Sequence, residues 1–202
     1  MGRLSMLTFA SVDEIRGLSF DKQFTEHTGF RSIHTRVESL IRMAAEEDAN
    51  VVLAVTGNEN IVGFGVVAYP EPYHRWVRLE PKVMMEVKGI EVIRDWRQMG
   101  VGGALARGML SHPEAEGKII YLVGYTWTWD LDGAKMSASQ YRKMIIRLFQ
   151  LYQFREFTTN EPNISLDQNN LFMCRIGKNV GDRLRDEFKW LLFGVHPDQA
   201  KR

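Results

Sequence analysis

Apolar positions along the chain fall into runs of two different periods. Ile33, Val37, Leu40, Ile41 and Ala44 recur on one side of a helical wheel, which predicts a helix within 31–48. Residues 50–56 read as a strand, 57–60 as its turn and 61–69 as the returning strand, closed by Pro70 and Pro72, which supply no ladder donor. A third strand is predicted over 84–93, with Gly89 as a bulge, followed by a helix over 100–110 carrying Leu105 and Met109. Another strand follows at 119–126. Ser137 or Ser139 then caps a helix whose stripe is Tyr141, Met144, Ile145, Leu148 and Tyr152. Two late strands, 154–159 and 171–176, precede a C-terminal helix over about 180–193 with Leu184, Phe188 and Leu191 in register. This alternation predicts a mixed α/β fold with a central sheet, read as a single domain over 1–202.

Composition narrows the function classes. Lys and Arg number 26 against 25 Asp and Glu, so the formal net charge is +1 and no electrostatic case exists for nucleic acid or an anionic membrane as partner. An apolar fraction of 45% suffices for a core. The single cysteine, Cys174, allows no intramolecular disulfide and no Cys-based zinc site. His27, His34, His74, His112 and His196 show no metal-ligand spacing, so no metal is expected. No apolar run reaches 18 residues, and the N-terminal segment is neither a signal peptide nor an acylation pattern. A cytoplasmic protein is the expectation.

The chemistry concentrates at 92–105, Val-Ile-Arg-Asp-Trp-Arg-Gln-Met-Gly-Val-Gly-Gly-Ala-Leu. A strand ends, a polar turn follows, and Gly100, Gly102 and Gly103 open a helix. Amides at such a helix start converge on one point with the helix dipole behind them, a cradle for a pyrophosphate. A Walker loop would need Gly-Lys-Ser/Thr, and a dinucleotide turn a glycine where Leu105 stands. The spacing Arg97-x-x-Gly100-x-Gly102, with apolar Val92 and Leu105, is similar to the coenzyme A motif of the GNAT acetyltransferases.

Longer stretches resemble one family within that superfamily, the AcuA acetoin-utilisation proteins. These are Ile61-Val-Gly-Phe, Tyr69-Pro-Glu-Pro with Arg75-Trp76, Ile90-Glu-Val-Ile, Trp127-Thr-Trp-Asp-Leu-Asp-Gly133, Tyr141-Arg-Lys, Glu161-Pro-Asn-Ile-Ser165 and Arg175-Ile-Gly-Lys178. They run in order from about residue 60 to 180, while the part over 1–50 is less family-like. The resemblance implies a mostly antiparallel GNAT sheet with a splayed central strand pair, flanked by helices. It implies acetyl-CoA as cosubstrate, bound by Ile90, Val92, Arg97, Gln98, Met99, Gly100, Val101, Gly102, Gly103 and Ala104. It also implies a protein-lysine acceptor on an AMP-forming acetyl-CoA synthetase, which acetylation inactivates. Where the family is expected to carry a His in the loop after Ile164, this chain has Asp167.

A lysine ammonium, with a pKa near 10.4, attacks a thioester only after losing a proton. Glu86 and Glu91 are the candidate bases. Counting back from Val92, as the superfamily does, favours Glu86, whereas Glu91 is nearer the expected acetyl position. Spacing leaves both open. The backbone N–H of Ile90 or Val92 is the natural oxyanion donor. Phe149 stands where many superfamily members place a tyrosine acid, leaving Tyr141 and Tyr152 as candidates, each also a core position. Trp127 and Trp129 alternate as on a strand face and line either the pantetheine channel or the core. Glu161 and Asp167 are acids that could attract the acceptor ammonium. The alternative functions are acetylation of a small-molecule amine and a non-catalytic acetyl-CoA sensor.

Overall fold

The computed structural model describes residues 3–26, 36–57 and 59–195. Its strands are β1 (Leu4–Leu7), β2 (Ser19–Phe20), β3 (Asn50–Thr56), β4 (Asn60–Ala68), β5 (Met84–Val92), β6 (Ile119–Gly124), β7 (Arg155–Glu156) and β8 (Leu171–Ile176). Its helices are α1 (Val12–Arg16), α2 (Gln23–Glu26), α3 (Val37–Ala44), α4 (Val101–Met109), α5 (Leu131–Ala134), α6 (Ala138–Gln150), α7 (Pro162–Ser165) and α8 (Asp182–Leu191). Strand order is β1-β3-β4-β5-β6-β8-β7, with β2 on β4. The β1–β3, β3–β4, β6–β8 and β7–β8 pairs are antiparallel. The central β5–β6 pair is parallel, and its register covers only Met84–Ile119, Met85–Ile120 and Glu86–Tyr121. This is the mostly antiparallel sheet with a splayed central pair that the sequence led us to expect.

The chain divides into two compact units, 1–68 with 87–112 and 128–137, and 69–86 with 113–127 and 138–202. In the first, β3 and β4 form the hairpin predicted from the pattern, buried along nearly their whole length. The start of the 31–48 helix, with Ile33, lies outside the described residues, as do His27, His34, Asn58 and His196. Ser11 and Glu14 form a capping box on α1. Asn50, fully buried, accepts the Phe9 N–H and donates to the Gly108 and Met109 carbonyls at 2.9 and 3.1 Å, satisfying the C-terminal end of α4.

The second unit is built around Trp76, Tyr121, Phe172 and Phe188, whose rings pack against one another with centroids 4.7 to 6.4 Å apart. Gly177 allows a close backbone approach, since a Cβ there would run into the Glu116 carbonyl. Next to it, Arg175 pairs with the Glu116 carboxylate and donates to the Ala115 carbonyl.

Three expectations need correction. The 119–126 strand stops at Gly124, because Asn170 and Asp167 take the Thr126 N–H and hydroxyl, both at 2.8 Å, and turn the chain. Trp127 and Trp129 therefore do not alternate on a strand. The 154–159 strand shrinks to Arg155–Glu156, after which the Phe157 N–H still reaches the Phe172 carbonyl. On α6 the fully buried side chain is Phe149, edge-on to Phe154 at 5.1 Å, while Met144 of the predicted stripe is exposed.

Candidate active site

In the first unit, β5 ends at Val92 and a short 3₁₀ turn, Arg94–Trp96, leads to the glycine segment. Gln98 and Gly100 both adopt left-handed backbone conformations, φ +62° and +80°. A Cβ at Gly100 would meet no neighbouring atom, so the glycine answers to its dihedral rather than to crowding. Alternating handedness of this kind turns successive amides toward one concavity, a natural seat for phosphate oxygens. Gly100 caps α4, whose first hydrogen bond runs from the Ala104 N–H to the Gly100 carbonyl. The amides of Val101 and Gly102 thus stand at the helix's positive end, and Met99, half exposed, sits at the lip of the turn. Residues 97–100 turn the chain into the first turn of α4 at 101–104, a run of backbone into which a pyrophosphate would fit.

Arg97 does not point out as a free phosphate ligand. Its Nε donates to the Val92 carbonyl at 3.0 Å, and its Nη1 lies 2.8 Å from Asp130 Oδ2. Asp130 also takes both ends of the Arg94 guanidinium at 3.0 and 2.7 Å, and the Gly133 N–H at 3.1 Å. Hydrogen bonds from Arg94 and then Arg97 hold its carboxyl down to about 2 despite burial. Asp130 had no role in the sequence reading. Its motif, Trp-Asp-Leu-Asp-Gly, was noticed only as a family marker.

Glu91, also on β5, is pushed up to about 8 by desolvation, with the Arg97 cation opposing and the Asp130 charge adding to the rise. A carboxyl in that state is largely protonated at neutral pH. Ile90, Glu91 and Val92 are partly buried, and the Ile93 N–H closes this end of β5 onto the Val62 carbonyl at 3.0 Å.

In the second unit, Glu86 stands at the last register pair of β5 and β6, with 15% of its side chain exposed. His74 Nδ1 lies 3.7 Å from Glu86 Oε2. Burial pushes the opposed Tyr121 phenol far up, and the Glu86 charge adds to the shift. Tyr125 is raised to about 12 by burial and the Glu161 charge, with a hydrogen bond to Asn163 opposing and Glu86 adding a further push. Its ring stacks on exposed Trp127 at 4.5 Å and 8°. His74, Tyr121 and Tyr125 were not singled out for catalysis in the sequence. The β5–β6 pairing that sets Tyr121 opposite Glu86 leaves no mark in residue spacing. Tyr141 lies near the start of α6 and Tyr152 in the turn after it, both partly buried.

Both acids of the 160–170 loop accept hydrogen bonds from within the chain. The Glu161 carboxylate caps α7 by accepting the Ile164 N–H at 2.9 Å. Asp167 accepts the Thr126 hydroxyl and the Asn169 N–H, both at 2.8 Å, and these bonds hold its pKa below the usual range.

Comparison with known proteins places this geometry. The acetoin utilization protein AcuA of Bacillus subtilis is 32% identical over 183 residues, covering 91% of this chain and 85% of that protein. The chain belongs to the AcuA family. The crystal structure of an acetoin utilization protein from Exiguobacterium sibiricum superposes with a TM-score of 0.83 at 26% identity, covering 96% of this chain and 95% of that one. A GNAT phosphinothricin acetyltransferase from Sinorhizobium meliloti, solved with AcCoA, shares the fold at a TM-score of 0.55 and 14% identity, over 96% of each chain. No family model matches. This AcuA-family chain has the fold of the GNAT acetyltransferases. Among the described residues no helix is long and apolar enough to cross a membrane.

Proposed function

We propose that this AcuA-family chain transfers an acetyl group from acetyl-CoA to a lysine of a partner protein, an AMP-forming acetyl-CoA synthetase. The observation that carries the cosubstrate is the 97–104 turn, where Gln98 and Gly100 in left-handed conformations lead directly into the N-terminus of α4. The acceptor rests on family membership, supported by the absence of any global charge that would select a polycation.

Bound acetyl-CoA supplies an activated acetyl thioester. The turn's backbone amides would hold its pyrophosphate, with Arg97 bracing the turn from behind rather than reaching into it. Glu86 is the base we assign, since Glu91 is mostly protonated at neutral pH and is a poor proton acceptor there. One proton passes from the lysine ammonium to Glu86, a C–N bond forms at the acetyl carbon, the C–S bond breaks, and one proton ends on the departing sulfur. The N–H of Ile90 or Val92 stabilises charge at the acetyl oxygen.

The test is incubation of the synthetase with this protein and acetyl-CoA, followed by assay of synthetase activity and mapping of acetyl-lysine. Loss of activity with one modified active-site lysine is expected. An unmodified, fully active synthetase alongside rapid acetylation of small amines would overturn the acceptor.

A further inference from the structure

The geometry points to Asp130 as the positioning residue of the phosphate turn: a buried carboxylate that ties Arg94 and Arg97 behind the turn and so fixes the backbone that receives the pyrophosphate. This inference rests on the acetyl-CoA reading above and adds to it a residue far away in sequence. The side chain of Asp130 is 2% exposed; its two oxygens accept N–H bonds from Arg94 Nε, Arg94 Nη2 and the Gly133 backbone, and Arg97 Nη1 forms an ion pair with Oδ2 at 2.8 Å. Two cations and one backbone amide are thus held on one buried carboxylate.

What it holds is specific. Arg97 is anchored twice, by Nε to the Val92 carbonyl and by Nη1 to Asp130, which closes the backbone between the end of β5 and the start of the turn. The next residues are the two in left-handed conformations, Gln98 and Gly100. A non-glycine residue at positive φ persists only where its surroundings over-determine it. The Arg97 anchor, immediately before Gln98, is such a constraint. Gly133 completes the device, since a Cβ there would intrude on both Arg94 Nε and Asp130 Oδ2. The closing glycine of the Trp-Asp-Leu-Asp-Gly run is therefore required by the clamp.

Charge and position predict opposite outcomes when Asp130 is neutralised. Two guanidiniums against one carboxylate leave one net positive charge, and Asp130→Asn raises it to two. If Asp130 acted through charge alone, the variant would bind coenzyme A more tightly. If it acts by position, the variant binds more weakly, and only where phosphates are involved. Dissociation constants for coenzyme A and for S-acetyl-pantetheine, which lacks the pyrophosphate, separate the two. We expect Asp130→Asn to weaken coenzyme A tenfold or more while S-acetyl-pantetheine stays within twofold. Gly133→Ala, which alters no charge, should do the same. Arg97→Gln should add little to Asp130→Asn, because the two residues act as one unit.

Amide hydrogen exchange at 97–104, measured without ligand, should quicken in Asp130→Asn and Gly133→Ala. Unchanged exchange, unchanged or tighter coenzyme A binding, or equal loss of both ligands would each overturn the assignment. Should the wild-type protein bind no coenzyme A while exchange responds as expected, the acetyl-CoA reading falls and the clamp on the turn stands.

Discussion

Glu91 makes stability depend on pH in a direction opposite to most surface carboxylates. Its pKa rises from 4.5 to about 8 in the folded chain, with desolvation as the largest cause. A raised folded value means the native state holds a proton that the unfolded chain has released. The contribution to stability is complete below pH 4.5, shrinks as pH rises and is gone above about 8. A rise from 4.5 to about 8 corresponds to an upper bound of about 4–5 kcal/mol, and the partial exposure of Glu91 lowers this to roughly 2–4 kcal/mol. Glu91→Gln removes the titration while keeping the shape. The difference in Tm between variant and wild type should therefore grow in the variant's favour by roughly 5–15 °C between pH 5 and pH 9, at about 2–4 °C per kcal/mol for a chain of this size. Thermal melts followed by circular dichroism across that range provide the measurement. A Tm difference independent of pH would show that Glu91 ionises normally and would return it to contention as the base.

Glu86→Gln should lower kcat by about 10²–10⁴-fold with coenzyme A affinity nearly intact, the defect narrowing at high pH as free amine becomes abundant, as read from pH–rate profiles. Gly102→Asp places bulk and negative charge beside the pyrophosphate and should weaken coenzyme A at least tenfold, about 1.4 kcal/mol, by calorimetry. Gly177→Ala should destabilise by roughly 1–3 kcal/mol, because its Cβ meets the Glu116 backbone, which cannot step aside. Gly65→Ala should cost under about 1.5 kcal/mol, because the obstacle 2.8 Å away is the flexible Met109 thioether. Urea melts of both variants compare the two costs, and equal losses would contradict the contrast.

The glycine turn was legible because its backbone requirement is written in residue type: Gly100 needs the left-handed conformation that it adopts. The β3–β4 hairpin was legible for a similar local reason, two β-rich runs separated by a polar turn. Gln98 left no such trace, since a non-glycine at positive φ is imposed by its surroundings. Asp130 was invisible for another reason. Its partners Arg94 and Arg97 lie 36 and 33 positions away, and a long-range ion pair produces no periodicity. The misread strand end at Trp127 has the same origin, because the bonds that turn the chain come from Asn170 and Asp167, over forty residues on. The capping box Ser11-x-x-Glu14, by contrast, was a readable signature that went unread.

Several polar side chains of the loop over 160–170 are bonded within it or to Thr126, and Asn160 is bonded to Arg75 and the Phe193 carbonyl. Glu161 caps α7, Asn170 donates to the Asn163 carbonyl at 2.6 Å, and Asp167 takes Thr126 and Asn169. Ordering a surface segment during association usually costs about 0.5–1.5 kcal/mol for each side chain immobilised. For the side chains named, that ordering precedes any encounter. A protein that docks on this loop meets a rigid relief rather than a chain that must be gathered into shape. Its selectivity would then follow contour, and a substitution that frees the loop, such as Asp167→Ala, would slow association while leaving the groups that touch the partner unchanged.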